Sequence, residues 1–147
     1  MSINYGLSRC FTHKSATDKT WVFMLTKDFE IVHINGVTAT CFLHPPDRKV
    51  FGAAAAEVRA HFPRKIKLWD CSCGISLTPA ELRIMAEDSK TVDAETLRVA
   101  FVAPSDAVYG LARLFAIHRA QAHLQLQVFR DRDNAFEWLE SMAKIDG

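Results

Sequence analysis

The chain has 147 residues, of which 49% are hydrophobic and 24% charged, and its formal net charge is +1. That length suits one globular domain burying roughly 68–70% of its unfolded surface, with no need for a second domain. Basic and acidic residues are spread along the whole chain, which excludes the single-sign patch of a nucleic-acid binder.

The opening residues, MSINYGLSRC, lack the apolar core of a signal peptide, and no window approaches the roughly 18 consecutive apolar residues of a membrane span. The expectation is a cytoplasmic protein with no membrane span. Residues 1–20 form an N-terminal extension with no readable element, and a single domain is expected over 21–147. In a reducing compartment Cys10, Cys41, Cys71 and Cys73 are free thiols, Cys71 and Cys73 being too close in sequence for a structural disulfide.

Trp21 to Thr26 (WVFMLT) and Ile31 to Asn35 (IVHIN) are β-prone runs separated by a polar break of hairpin length, which predicts an antiparallel pair. Asn35-Gly36 signals a turn, and Val37 to Leu43 is a candidate further strand. After Pro45-Pro46 the period becomes helical. Val50, Phe51, Ala54, Ala55, Val58 and Phe62 form one apolar stripe, with Lys49, Gly52, Ala56 and Arg59 on the opposite face, and Pro63 stops the helix.

Lys65 to Asp70 (KIKLWD) reads as a strand inside the sheet. Thr78-Pro79-Ala80-Glu81 is a capping box with proline at the first helical position, and Leu77 and Leu82 fit a hydrophobic staple across it. Glu81 is thereby explained as a backbone acceptor rather than a general acid. This helix is expected to run to about Ser89, before a polar connection from Lys90 to Thr96.

From Leu97 onward strand, helix, strand and helix follow with almost no filler, which implies a parallel sheet covered by helices. Leu97 to Ala103 is apolar except at Arg98, as a central parallel strand requires. Ser105 is a good N-cap, Asp106 suits the positive end of the next helix, and Val108, Leu111, Ala112 and Phe115 make its core stripe. Leu124, Leu126 and Val128 alternate with Gln125 and Gln127, marking an edge strand. Asp131 or Asp133 caps a final helix in which Ala135, Trp138, Leu139 and Met142 share a face.

The element order β-β-α-β-α-β-α-β-α, with APSDAVYGLARLF and VFRDRDNAFEWLE at its end, resembles the SpoIIAA-like or STAS-like domains of bacteria, and small stand-alone members in particular. The resemblance covers Trp21 to Leu139 and is strongest after Leu97. It implies an α/β fold: a SpoIIAA-like mixed sheet with an antiparallel N-terminal pair and parallel βαβα units, flanked by about four helices. It also implies a non-enzymatic regulatory role exercised by binding another protein, whose identity the sequence does not give. Anti-sigma factor antagonists of this family switch through a phosphorylatable serine at a helix start. The corresponding stretch here, Asp70 to Thr78, lacks the Asp-Ser-Ser-Gly pattern, leaving Ser76 and then Ser72 as the nearest serines.

Motifs for chemistry are sparse. Cys71-x-Cys73 has no second ligand pair, and the six histidines form no metal-binding pattern, so no metal or other cofactor is expected. There is no G-x-S-x-G elbow and no phosphate-binding glycine loop. In an open α/β sheet ligands favour the carboxyl ends of parallel strands, where Asp70, Ser72, Pro104, Ser105 and Arg130 fall as crevice candidates. They can orient a small polar group but include no nucleophile with its base. Tyr109, Arg113, Ala116 and Ile117 lie on the outer face of their helix, which fits either a homodimer interface or an ordinary scatter of exposed groups. A lipid or small-molecule carrier, as in SEC14-type domains, is the alternative reading and requires an apolar cavity of roughly 300 Å³ or more, and an enzyme with its site at the carboxyl edge of the sheet is the third.

Overall fold

The computed structural model describes residues 21–61, 65–92 and 96–146. Phe62, Pro63 and the N-terminal extension lie outside these residues, as does the side chain of Met142. The elements in chain order are β1 (Trp21–Leu25), β2 (Phe29–Ile34), β3 (Val37–Phe42), α1 (Arg48–His61), β4 (Ile66–Asp70), α2 (Pro79–Val92), β5 (Arg98–Val102), α3 (Asp106–Arg119), β6 (Gln125–Phe129) and α4 (Arg132–Asp146).

The six strands form one sheet in the order β1-β2-β3-β4-β5-β6. The first three make an antiparallel meander, and β3 to β6 run parallel. The expected mixed sheet therefore forms, and the candidate strand at Val37 is a full member, buried at all six positions. Its hairpin with β2 turns on Asn35 and Gly36, whose φ values of 49° and 84° are the pair of positive angles that a two-residue type I′ turn needs.

Because the parallel strands are laid down in one direction and such crossovers are right-handed, α1, α2 and α3 must all fall on the same face. Only α4, which follows the edge strand β6, returns across the other. The core is accordingly split in two. Phe42, Phe51, Ala54, Val58, Trp69, Phe101 and Ala112 belong to the three-helix side, and Val32, Val37, Leu68, Ala100, Val102, Ala135 and Leu139 to the α4 side.

Local signals position the helix starts. Thr78 N donates to Glu81 Oε1 at 3.0 Å and Glu81 N donates to Thr78 Oγ1 at 3.1 Å, completing the capping box of α2. Asp131, rather than Asp133, caps α4 by accepting from Asn134 N at 2.8 Å. The α2 helix continues to Val92, about one turn beyond the expected end, with Val92 itself exposed. Among the described residues no helix is long and apolar enough to cross a membrane.

Candidate functional site

Against the three helices, and open to solvent along one side where Arg48, Gly52, Asp88 and Val92 are exposed, lies a pocket of about 310 Å³. Its wall on α1 is the stripe Arg48, Gly52, Ala55 and Arg59, spaced by four, three and four residues so that all four share one helix face. Periodicity puts Gly52 and Arg59 away from the Phe51–Val58 stripe, and Gly52 is exposed as that predicts; both also border the open side of the pocket. The reason is steric. Residues 52–56 read GAAAA, so the middle of α1 carries no side chain long enough to reach α2, and a Cβ placed on Gly52 would have no neighbour within 4 Å.

The cavity floor is aromatic. Phe51 and Trp69 stand 5.4 Å apart between ring centroids, each also packing on Phe42, and Phe101 meets Phe115 edge-on at 5.3 Å. Met85 and Val92 of α2 and Leu126 of β6 complete the apolar lining. At the end where the parallel strands begin, the lining turns polar. Lys67 of β4 is 7% exposed and donates from Nζ to Thr96 Oγ1 at 2.9 Å. Arg119, in the last turn of α3, is 3% exposed and donates from Nη1 to Gln121 Oε1 at 2.5 Å. Among the described lining residues Arg48, Arg59, Lys67 and Arg119 are cationic and Asp88 alone is acidic.

The residues singled out from the sequence sit at the opposite end of the strands, in two groups. Asp70 is fully buried, and its carboxylate accepts from the Ser72 backbone N at 2.9 Å, from the Ser72 hydroxyl and from Arg132 Nε. Arg130 reaches Asp106 Oδ1 at 2.8 Å and Pro104 O at 3.2 Å while its guanidinium lies 4.0 Å above the Tyr109 ring. Ser105 caps α3, accepting from Val108 N at 3.2 Å. Each of these side chains thus has a structural partner. Ser76 is exposed, and its backbone N donates to Pro46 O. Of the expected outer-face residues of α3, Tyr109 is instead half-buried, packed against the three-helix core and covered by Arg130, whereas Arg113 and Ile117 are exposed.

The two thiols after β4 differ sharply. Cys71 is buried, and burial first, then the charges of Asp70 and Cys73, push its thiol pKa far above the ordinary range. Cys73 is exposed and its Sγ donates to Phe42 O at 3.1 Å. Among the described residues no group of three or more His, Cys, Asp or Glu side chains is placed to hold a metal ion.

Sequence reasoning missed the cavity because its polar members look unremarkable one at a time: a lysine in a strand, and arginines near helix ends. The available signal was the GAAAA run of α1, flanked within that helix by Arg48 and Arg59, too small to fill the space beside it.

No protein-family profile matches the chain, and no curated protein does. Among solved structures it is similar to an uncharacterized protein from the DUF3478 family with a SpoIIAA-like fold, from Shewanella loihica PV-4. That similarity has a TM-score of 0.49 at 13% identity, over 87% of this chain and 99% of the other. It is also similar to SLC26A9, with a TM-score of 0.46 at 18% identity over 76% of this chain. The chain spans 21% of the length of the SLC26A9 chain.

Proposed function

We propose that this domain binds a small, largely apolar molecule in the cavity under α1, α2 and α3, acting as a carrier or ligand-responsive module in the cytoplasm rather than as an enzyme. The observation that carries this reading is the 310 Å³ cavity, which is of the size and aromatic lining expected of a ligand site. Binding is favoured over turnover because the polar groups at the carboxyl edge are engaged with one another: Asp70 serves Ser72 and Arg132, and Ser105 serves as a cap. The test is calorimetric titration with octanol, a neutral alkyl probe. The protein should take up one octanol per chain, and Ala55→Leu, with Gly52→Leu as a second filling variant, should weaken uptake about tenfold or more. Equal uptake by the parent and both filled variants overturns the reading.

A second reading is favoured by one feature of α3. Ile117 is 65% exposed, unusually so for a large aliphatic residue, and exposed Arg113 lies one turn before it on α3. This fits a homodimer joined through α3. Light scattering should then give twice the chain mass, and Ile117→Glu should return it to the chain mass by placing a charge in a desolvated contact. A parent protein that scatters as a monomer at micromolar concentration removes this reading.

A further inference from the structure

We infer that β6 is the seam of the homodimer, pairing antiparallel with β6 of a second copy of the chain so that the two sheets run on as one. The inference rests on the homodimer reading above and adds the strand that closes the contact.

β6 ends the strand order, and among the described residues no strand pairs with its outer edge. Such an edge offers a row of free N–H and C=O groups, which chains ordinarily shield with charge, proline, a bulge or a cover. Gln125–Phe129 has none of the first three: it reads QLQVF, and its register with β5 is regular through all five residues. β1, at the opposite edge, is interrupted by a bulge between Val22 and Met24.

The ladder fixes which groups point outward. Gln125 N donates to Leu97 O at 2.9 Å and Phe129 O accepts from Ala103 N at 2.8 Å, so the backbone groups of Gln125, Gln127 and Phe129 turn toward β5. Those of Leu126 and Val128 alternate with them and face away from the sheet. With Gln127 on a two-fold axis, Leu126 comes opposite the partner's Val128 and Val128 opposite the partner's Leu126, each pair exchanging two N–H···O bonds. This antiparallel register alone pairs all five residues of the strand.

The side chains agree with that register. Leu126 and Val128, half-buried on the three-helix side, meet each other across the seam, while exposed Gln127 meets its own copy on the α4 side, where Phe129 also lies. Charge selects the direction. Continued two residues past each strand end, the register sets exposed His123 against the partner's Asp131, a ring donor beside a carboxylate. Parallel pairing would instead set Arg130 against Arg130 and Asp131 against Asp131, which is unfavourable. The seam also accounts for α3. That helix packs over β6, and Arg130, directly after the strand, covers Tyr109, so pairing brings the two α3 helices side by side on one face of the joined sheet. Stable interfaces bury roughly 800 Å² per partner, more than a short strand offers without such a flank.

Light scattering of the full chain at micromolar concentration tests the seam through Gln127, which is exposed and lies on the axis. The parent should scatter at twice the chain mass. Gln127→Lys and Gln127→Glu should each scatter at the chain mass, because each sets two like charges against one another across the axis, with circular dichroism matching the parent's. Their equimolar mixture should return to twice the chain mass by pairing lysine with glutamate. A dimer that survives both substitutions but is lost in Ile117→Glu overturns the β6 seam and leaves the α3 reading standing. A mixture that stays at the chain mass overturns the seam as well. A parent that scatters at the chain mass overturns the seam and the homodimer reading together, leaving the edge to a strand of another protein.

Discussion

The hydrogen bond from His44 to Asp28, 2.6 Å between Nε2 and Oδ1, ties the loop before α1 to the turn between β1 and β2. Chiefly through this bond, against a smaller opposing effect of desolvation and with smaller contributions from Pro45 O and the carboxylates of Asp28 and Asp47, the His44 pKa is raised above its ordinary value of 6.5. A group with a raised folded-state pKa stabilises the native state most below its unfolded value, and that contribution disappears as pH rises through the folded value. Stability from this contact should therefore be complete below about pH 6.5 and fall above it. An NMR titration of the His44 ring should show the raised midpoint, and Asp28→Asn should move it down toward 6.5; a midpoint untouched by Asp28→Asn contradicts the assignment. Neither partner was visible in the sequence, since sixteen residues separate them and nothing local marks the pairing. The same applies to Asp70. Its place at the end of a strand was readable, but its engagement by Arg132, 62 residues later, was not.

Whole elements were more legible than single residues, because caps and periodicity act within one turn. The capping box of α2 is the clearest case: both reciprocal bonds form, and Leu77 and Leu82 are buried on either side of it. Thr78→Ala should cost about 1 kcal/mol by leaving the Glu81 N–H without its side-chain acceptor, measured as a shift in urea midpoint without a change in slope. Thr78→Ser should restore most of it, and a Thr78→Ala protein as stable as the parent means that the cap contributes nothing. Periodicity gave the phase of α1 correctly for Phe51, Ala54 and Val58. It put Gly52 on the exposed side correctly but could not show the pocket that Gly52 and Arg59 border, because phase says which way a residue points around its own axis, not how far away the neighbouring helix stands. That distance depends on α2, which sits one strand further along the sheet.

At the scale of the molecule, the parallel βαβ rule was enough to foresee the mixed sheet, but the division of helices three to one depends on the strand order, which only the assembled sheet shows. The lone helix on its face needs a fastening that the other three share among themselves. Glu30, Cys41 and Asp70 stand side by side on β2, β3 and β4, and Arg132 in the first turn of α4 comes down on this row, bonding Asp70 and lying 4.0 Å from Cys41 Sγ. One arginine thus fixes α4 across strands that are distant in sequence. Removing it would leave the fully buried Asp70 carboxylate with only its Ser72 contacts, so Arg132→Ala should cost about 3 kcal/mol, well beyond the loss of a helix cap. Asp70→Asn on its own should also destabilise, but combining it with Arg132→Ala should cost less than the sum of the two, because the second change removes the charge that the first leaves unpaired. Urea unfolding of the four proteins measures this coupling. Strictly additive losses would show that the Asp70–Arg132 contact does not fasten α4, and that Ala135 and Leu139 hold the helix on the sheet by burial alone.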